Sequence, residues 1–150
     1  MDVADTRVTL EVAFRRLRRA LLAITTKSPY AVRALTELVR LGEAAPVPIG
    51  ELARRREIPV QFLEGLFATL RRGGVLESQR GVKGGYSLAR PADELTVLEV
   101  VELLEGSLGA GEAGPPWVAA VDALRAVLAE TTIADLAERE GSGAAPMYYI

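Results

Sequence analysis

Residues 51–91 read ELARRREIPVQFLEGLFATLRRGGVLESQRGVKGGYSLARP, and the patterns in that stretch decide the fold. Leu52 and Ala53 are the inward positions of a first short helix. Phe62, Leu63, Leu66, Phe67 and Leu70 form the apolar stripe of a second, after a tight break at Glu57–Pro59. Ala53 is small enough to let two helices cross closely. Arg71 and Arg72 fall in the last turn of the second helix, where cations complement the helix dipole. Gly73 is expected just beyond it, as the left-handed residue that ends a helix. VLESQRG and GGYSLARP are short extended runs separated by Val82 and Lys83, which predicts a β-hairpin. Two helices about a tight turn, then a hairpin, predict a mainly α fold with a small β-hairpin wing: a winged helix-turn-helix.

That order assigns roles. The second helix of such a pair enters the major groove and presents its N-terminal residues to base edges. Val60, Gln61 and Glu64 are the exposed candidates there. Gln61 suits adenine and Glu64 suits the cytosine amino group, although a merely solvated helix face would carry the same residues. Gly65 is costly inside a helix; it serves a close approach to DNA or is simply tolerated. Arg80 and Lys83 place positive charge on a hairpin tip of little bulk. Arginine is drawn to a narrow minor groove, so Arg80 is the expected wing-tip residue and Lys83 a phosphate contact. Gly84 and Gly85 allow backbone N–H groups to approach phosphate. Tyr86 and Leu88 alternate as strand anchors, and Arg54, Arg55 and Arg56 form a second basic cluster divided between phosphate contact and solvation.

Outward from this unit, SPYAVRALTELVRLG predicts a preceding helix, capped by Ser28, with Pro29 at its first position and Gly42 at its end. EAAPVP reads as a loop. After the hairpin, LTVLEVVELLEG carries a capping box (Thr96 with Glu99), a Leu95–Val100 staple and a stop at Gly106. WVAAVDALRAVLAE is a helix with Trp117, Val121, Leu124 and Leu128 at spacings that fit a two-helix seam, or the helix's own core. TTIADLAERE follows, with Thr132 and Asp135 as another box. Residues 8–24 show Leu10, Phe14, Leu17, Leu21 and Ile24 along one helical face. Such a helix packs on the domain or lies on a membrane surface, and packing is the expected use.

Of the 150 residues, none is cysteine or histidine. That excludes disulfides, thiol nucleophiles and an imidazole base, and leaves no convergent nucleophile and base. An enzyme is not expected, nor is a cofactor. No apolar run is long enough to span a bilayer and no secretory leader is evident, so a cytoplasmic protein without membrane contact is expected. The net charge of −2 hides a division. Residues 1–90 hold 16 of the 18 Lys and Arg against 9 of the 20 Asp and Glu, a surplus of seven positive charges; residues 91–150 hold 2 against 11, a surplus of nine negative ones. A basic front half suits an anionic partner despite the acidic pI.

Together TTKSPYAVRAL, the 51–91 stretch, LTVLEVVELLEG and TTIADL resemble the Rrf-type winged-helix regulators, a bacterial family that includes an iron–sulfur cluster regulator, a nitric-oxide-sensing repressor and a cysteine-metabolism repressor. The resemblance covers about residues 23–140. It implies a homodimer bound to a partly palindromic operator in double-stranded DNA, with Trp117–Glu130 as the long dimerisation helix. It also implies that Thr26 and Lys27 touch phosphate, that the second helix reads bases, and that Arg80 enters the minor groove. The domain division is then an N-terminal extension (1–22, expected helical), a DNA-binding domain (23–92), linker and dimerisation helices (95–140), and a flexible tail (141–150).

Three departures from the family pattern stand out. Many members hold an iron–sulfur cluster through three cysteines before the dimer helix; here that segment is GSLGAGEAGPP, and thiolates are lacking. The turn position often filled by glycine is Glu57. Residues 1–20 precede the usual start, as an added helix or an upstream start. The expected function is a dimeric, cluster-free repressor controlled by a partner protein or a small ligand. The alternative is a winged-helix protein-interaction module that no longer binds DNA.

Overall fold

A computed structural model describes residues 24–42, 45–110 and 114–142. The 1–22 extension and nearly all of the 141–150 tail lie outside the described residues. The elements run α1 (Lys27–Arg40), α2 (Ile49–Arg56), α3 (Val60–Arg72), β1 (Leu76–Gln79), β2 (Gly85–Leu88), a 3-10 turn (Ala92–Glu94), α4 (Val97–Glu105), α5 (Trp117–Glu130) and α6 (Ile133–Gly141). The expected winged helix-turn-helix is present, and the core forms where its stripes meet. Leu35 of α1, Leu52 of α2, Leu63, Phe67 and Leu70 of α3, and Val100 of α4 are completely buried.

The helix-turn-helix closes at Glu57, which sits in the left-handed region at φ 54°, ψ 47°. A Cβ crowds the backbone there, so the departure from glycine carries a strain. Glu57→Gly is expected to stabilise the protein by about 0.5–1 kcal/mol, the relief of that crowding less the extra freedom of glycine in the unfolded chain. Urea denaturation reads this directly. A midpoint that falls instead would show a relaxed turn.

β1 and β2 pair antiparallel, with Leu76 opposite Leu88 and Gln79 opposite Gly85. The hairpin has a third member, from the segment expected to be a loop. Val47 exchanges backbone hydrogen bonds with Tyr86, at 2.9 and 2.8 Å. Gly85 lies against this bridge at φ 151°, and a Cβ there would collide with the Val47 carbonyl; one on Gly84 would collide with the Gln79 carbonyl oxygen. Both glycines therefore have a steric cause inside the wing, apart from any phosphate. Tyr86 stacks edge-on against Phe67, ring centres 5.1 Å apart, and anchors the strand to the core as expected.

Local caps differ from the sequence reading in three places. Ser28 is not the cap of α1: the helix begins at Lys27, and Ser28 is buried inside its first turn. The left-handed residue after α3 is Gly74, at φ 78°, while Gly73 has φ −79° and lies where a Cβ would press on Leu103. Thr96 accepts from the Glu99 N–H, but the Glu99 carboxylate pairs with Arg90 at 2.6 Å, so only half of that box forms. The box of Thr132 with Asp135 is complete. The Thr132 backbone N–H, donating to this carboxylate at 2.9 Å, and then the Thr132 side chain hold the Asp135 carboxyl below the usual carboxylate range. The starts of α4 and α6 are clasped by Val97 N–H to Thr131 carbonyl and Ile133 N–H to Leu95 carbonyl, both 2.9 Å.

Candidate nucleic-acid interface

α3 is held by its buried face. Leu63, Leu66, Phe67 and Leu70 are in the core, and Phe62 packs edge-on against Tyr30 of α1 at 5.7 Å. That leaves Val60, Gln61, Glu64 and Gly65 exposed along one side of the first two turns. Among the described residues, nothing beyond its own stretch of helix lies within 4 Å of where a Cβ on Gly65 would stand, so no contact with another described element requires glycine there. At the far end of α3, Arg71 donates to the Ser78 hydroxyl at 3.1 Å and links the helix to the wing.

The wing tip spans Arg80–Gly84. Arg80 and Lys83 are both exposed, with Val82 fully exposed between them. Among the described residues, no carboxylate pairs with Arg80, Lys83, Lys27 or Arg54. Arg90, at the wing's base, is tethered to Glu99 instead. Thr26 and Lys27 are exposed at the start of α1.

The basic cluster of α2 divides in a way the sequence reading missed. Arg54 is exposed, and Arg55 pairs with Glu51 at 3.0 Å. Arg56 is only 6% exposed. Its guanidinium meets Glu37 of α1 at 2.7 Å and grips Glu140 of α6 through two bonds, at 2.5 and 3.2 Å. Burial works against that positive charge, but Glu140 and Glu37 outweigh it, so the group is held above the ordinary arginine value. Arg33 donates to the Arg56 carbonyl at 2.9 Å and closes the end of α2. Arg56 is thus a structural tie, not a phosphate contact.

α5 is apolar almost all round, its charged residues being Asp122, Arg125 and Glu130. Val121 is 4% exposed and taken up by its own core. Trp117 and Leu124 stand out at 43% and 39% exposure, joined by Val127 at 60%, and Leu128 is half-buried. An open groove of about 620 Å³ lies beside this face, walled by Tyr30, Val97, Val101, Val127, Leu128 and Leu136 among others. Among the described residues, no helix is long and apolar enough to cross a membrane.

A helix-turn-helix with an exposed leading turn, backed by a hairpin with a basic tip, defines a winged-helix DNA-binding regulator. The particular family follows from comparison. The profile of Rrf2, described as an iron-dependent transcriptional regulator, matches residues 24–116, and the chain belongs to the Rrf2 family of transcriptional regulators. Its members are regulators, not enzymes. The chain is 35% identical over 131 residues to a protein of Mycobacterium tuberculosis H37Rv named as an HTH-type transcriptional regulator, covering 77% of this chain and 81% of that one. It is 38% identical over 95 residues to the regulator IscR of Cereibacter sphaeroides, covering 62% and 61%. A Synechocystis relative, 40% identical over 87 residues, is matched over 59% of its length. Among solved structures it resembles CymR, the global cysteine regulator of B. subtilis, with TM-score 0.71, 30% identity and coverage of 77% and 95%. It also resembles T. potens IscR, with TM-score 0.72, 29% identity and coverage of 84% and 93%.

The family description names iron, and the donor set here does not fit a thiolate-held cluster. Cysteine and histidine are absent from the whole sequence. Glu112 is the one ionisable residue between α4 and α5. Among the described residues, no carboxylates cluster closely enough to hold a metal ion.

Proposed function

We propose that this chain is a homodimeric, sequence-specific transcriptional repressor that works without an iron–sulfur cluster and is controlled by a partner protein or a small ligand. The observation that carries the reading is the wing tip: Arg80 and Lys83, exposed and unpaired among the described residues, on a hairpin pinned to the core through Tyr86 and Val47. Charge so mounted meets phosphate or a minor groove without having to leave a protein partner first. Gln61 and Glu64 then face the major-groove edges, with Val60 against them, and the bare surface at Gly65 admits the duplex. Thr26 and Lys27 contact phosphate at the start of α1. Two protomers join through the exposed part of the α5 stripe of Trp117, Val121, Leu124 and Leu128, which sets two half-sites on a palindromic operator. In domain terms, residues 23–92 bind DNA and residues 95–140 join the protomers.

Selection of genomic fragments by the purified protein, followed by sequencing, tests this and supplies an operator. On that fragment, affinity should fall steeply with salt; about six phosphate contacts give roughly a thousandfold loss between about 50 and 200 mM. A protein-interaction module would show no such slope. Arg80→Ala should weaken operator binding by about 1–3 kcal/mol with the dimer intact. Unchanged affinity would remove Arg80 from the interface.

A further inference from the structure

The start of α1 is not capped by its own residues. Thr26, the N-cap, makes no side-chain cap hydrogen bond. The cap comes from about 80 residues away. The Glu105 carboxylate, in the last turn of α4, accepts from the Thr25 N–H at 2.9 Å and from the Thr25 hydroxyl at 2.9 and 3.1 Å. It also accepts from the Ser28 N–H at 3.3 Å and the Ser28 hydroxyl at 3.0 Å. Thr25 in turn accepts from the Lys27 N–H at 3.3 Å. A carboxylate at the C-terminus of its own helix opposes that helix's dipole, and no basic residue stands in the last turn of α4 to offset it. At the positive end of α1 the same charge is favourable. Glu105 is therefore poorly placed for α4 and well placed for α1.

The contact has a geometric consequence. Thr25 and Ser28 are pinned on either side of Thr26 and Lys27, whose side chains stay exposed. Glu105 is followed directly by Gly106, at φ 91°, and by the connection to α5. That connection is tied to α5 by Arg125, which donates to the Leu108 carbonyl at 3.0 Å and to Glu102 of α4 at 2.9 Å. A continuous chain of contacts runs from α5 through the α4–α5 corner to the first turn of α1.

We propose that Glu105 is a positioning residue for DNA: its carboxylate fixes Thr26 and Lys27 for their phosphate contacts, and DNA affinity follows the placement of the α4–α5 connection through it. This rests on the DNA-binding reading above. A rearrangement of the connection, by whatever signal, withdraws the cap and loosens the two contacts without touching α3 or the wing.

The test uses the full chain, the selected operator fragment and a salt series. Lys27→Ala should flatten the slope of log affinity against log salt by about 1.8, the share of two phosphates, one per protomer of the dimer. The fall in affinity between about 50 and 200 mM salt then shrinks by about 12-fold. Glu105→Ala should flatten it by a similar amount, and the double variant by no more than either single one. A merely structural role would lower the melting temperature and leave the slope unchanged. If Lys27→Ala flattens the slope and Glu105→Ala does not, or binds more tightly, the positioning role is wrong and the phosphate contact stands. If neither variant changes the slope, the Lys27 contact itself fails and the positioning role fails with it. Should Glu105→Ala not fold, Glu105→Gln replaces it. That variant keeps the shape but turns one acceptor into a donor, and an intermediate slope is expected; the wild-type slope would overturn the proposal.

Discussion

Arg56→Ala is expected to destabilise the protein by about 3–5 kcal/mol, the usual cost of removing one partner from a buried ion pair. The cost comes less from the lost attraction than from what remains. Glu37 is 7% exposed and keeps its carboxylate in the space between α1, α2 and α6. Arg40 and Arg55 lie 3.6 Å from Glu37, but at 42% and 39% side-chain exposure they are open to water and to other carboxylates and replace Arg56 only in part. Arg56 also carries the end of α2, and through Glu140 it ties the helix-turn-helix to α6. Its loss should therefore lower the melting temperature by roughly 10 °C, at about 2–4 °C per kcal/mol for a chain of this size. Urea unfolding measures the free energy. Replacing Arg56, Glu37 and Glu140 together with apolar residues should restore much of the loss, because no charge is then left buried. A single variant within about 1 kcal/mol of wild type would show that water reaches the network.

That network also shows where sequence reading stops. The helices, the hairpin and the Thr132 box were visible because each is local: a stripe at helical spacing, an alternation, a cap three residues from its partner. By sequence, Arg56 is one of three arginines divided between phosphate contact and solvation. Its signal was present, since it follows Leu52 by four residues and so shares the buried face of α2. What the sequence could not supply was the pair of carboxylates waiting there, one of them 84 residues away. Val47 and Glu105 were hidden for the same reason. A single bridging residue has no alternation to reveal it, and a cap delivered from another helix has no fixed spacing. Gly84 and Gly85 were read for their N–H groups, whereas their lack of a Cβ is what the hairpin itself requires. On α5, the stripe at seam spacing is one face, but its exposure is uneven: Val121 is taken up by the protomer's own core, while Trp117 and Leu124 beside it stay open.

Leu124→Glu should abolish the dimer and, with it, most operator affinity. Leu124 and Trp117 form the exposed flank of the α5 stripe, continued by Val127, while Val121 beside them is already buried in the protomer's own core. In a two-fold assembly the same patch meets itself, so one substitution places two carboxylates in one apolar seam. Neither meets a cation from its own helix, because Arg125, the one basic residue of α5, is engaged with Glu102 and the Leu108 carbonyl. An unpaired charge is not tolerated in such a seam, and the protomers separate to hydrate it. The fold of each protomer should survive, since Leu124 is already 39% exposed in the protomer; circular dichroism checks this. Sedimentation should then report a monomer. Operator affinity should fall by about 10²–10⁴, because the second half-site is no longer held near the first. The single half-site contacts of Gln61, Glu64 and Arg80 remain, so weak, salt-dependent binding should persist. A variant that still sediments as a dimer would move the seam off this face of α5. A monomer that keeps full operator affinity would mean that one wing and one α3 suffice, and the palindromic arrangement would have to be given up.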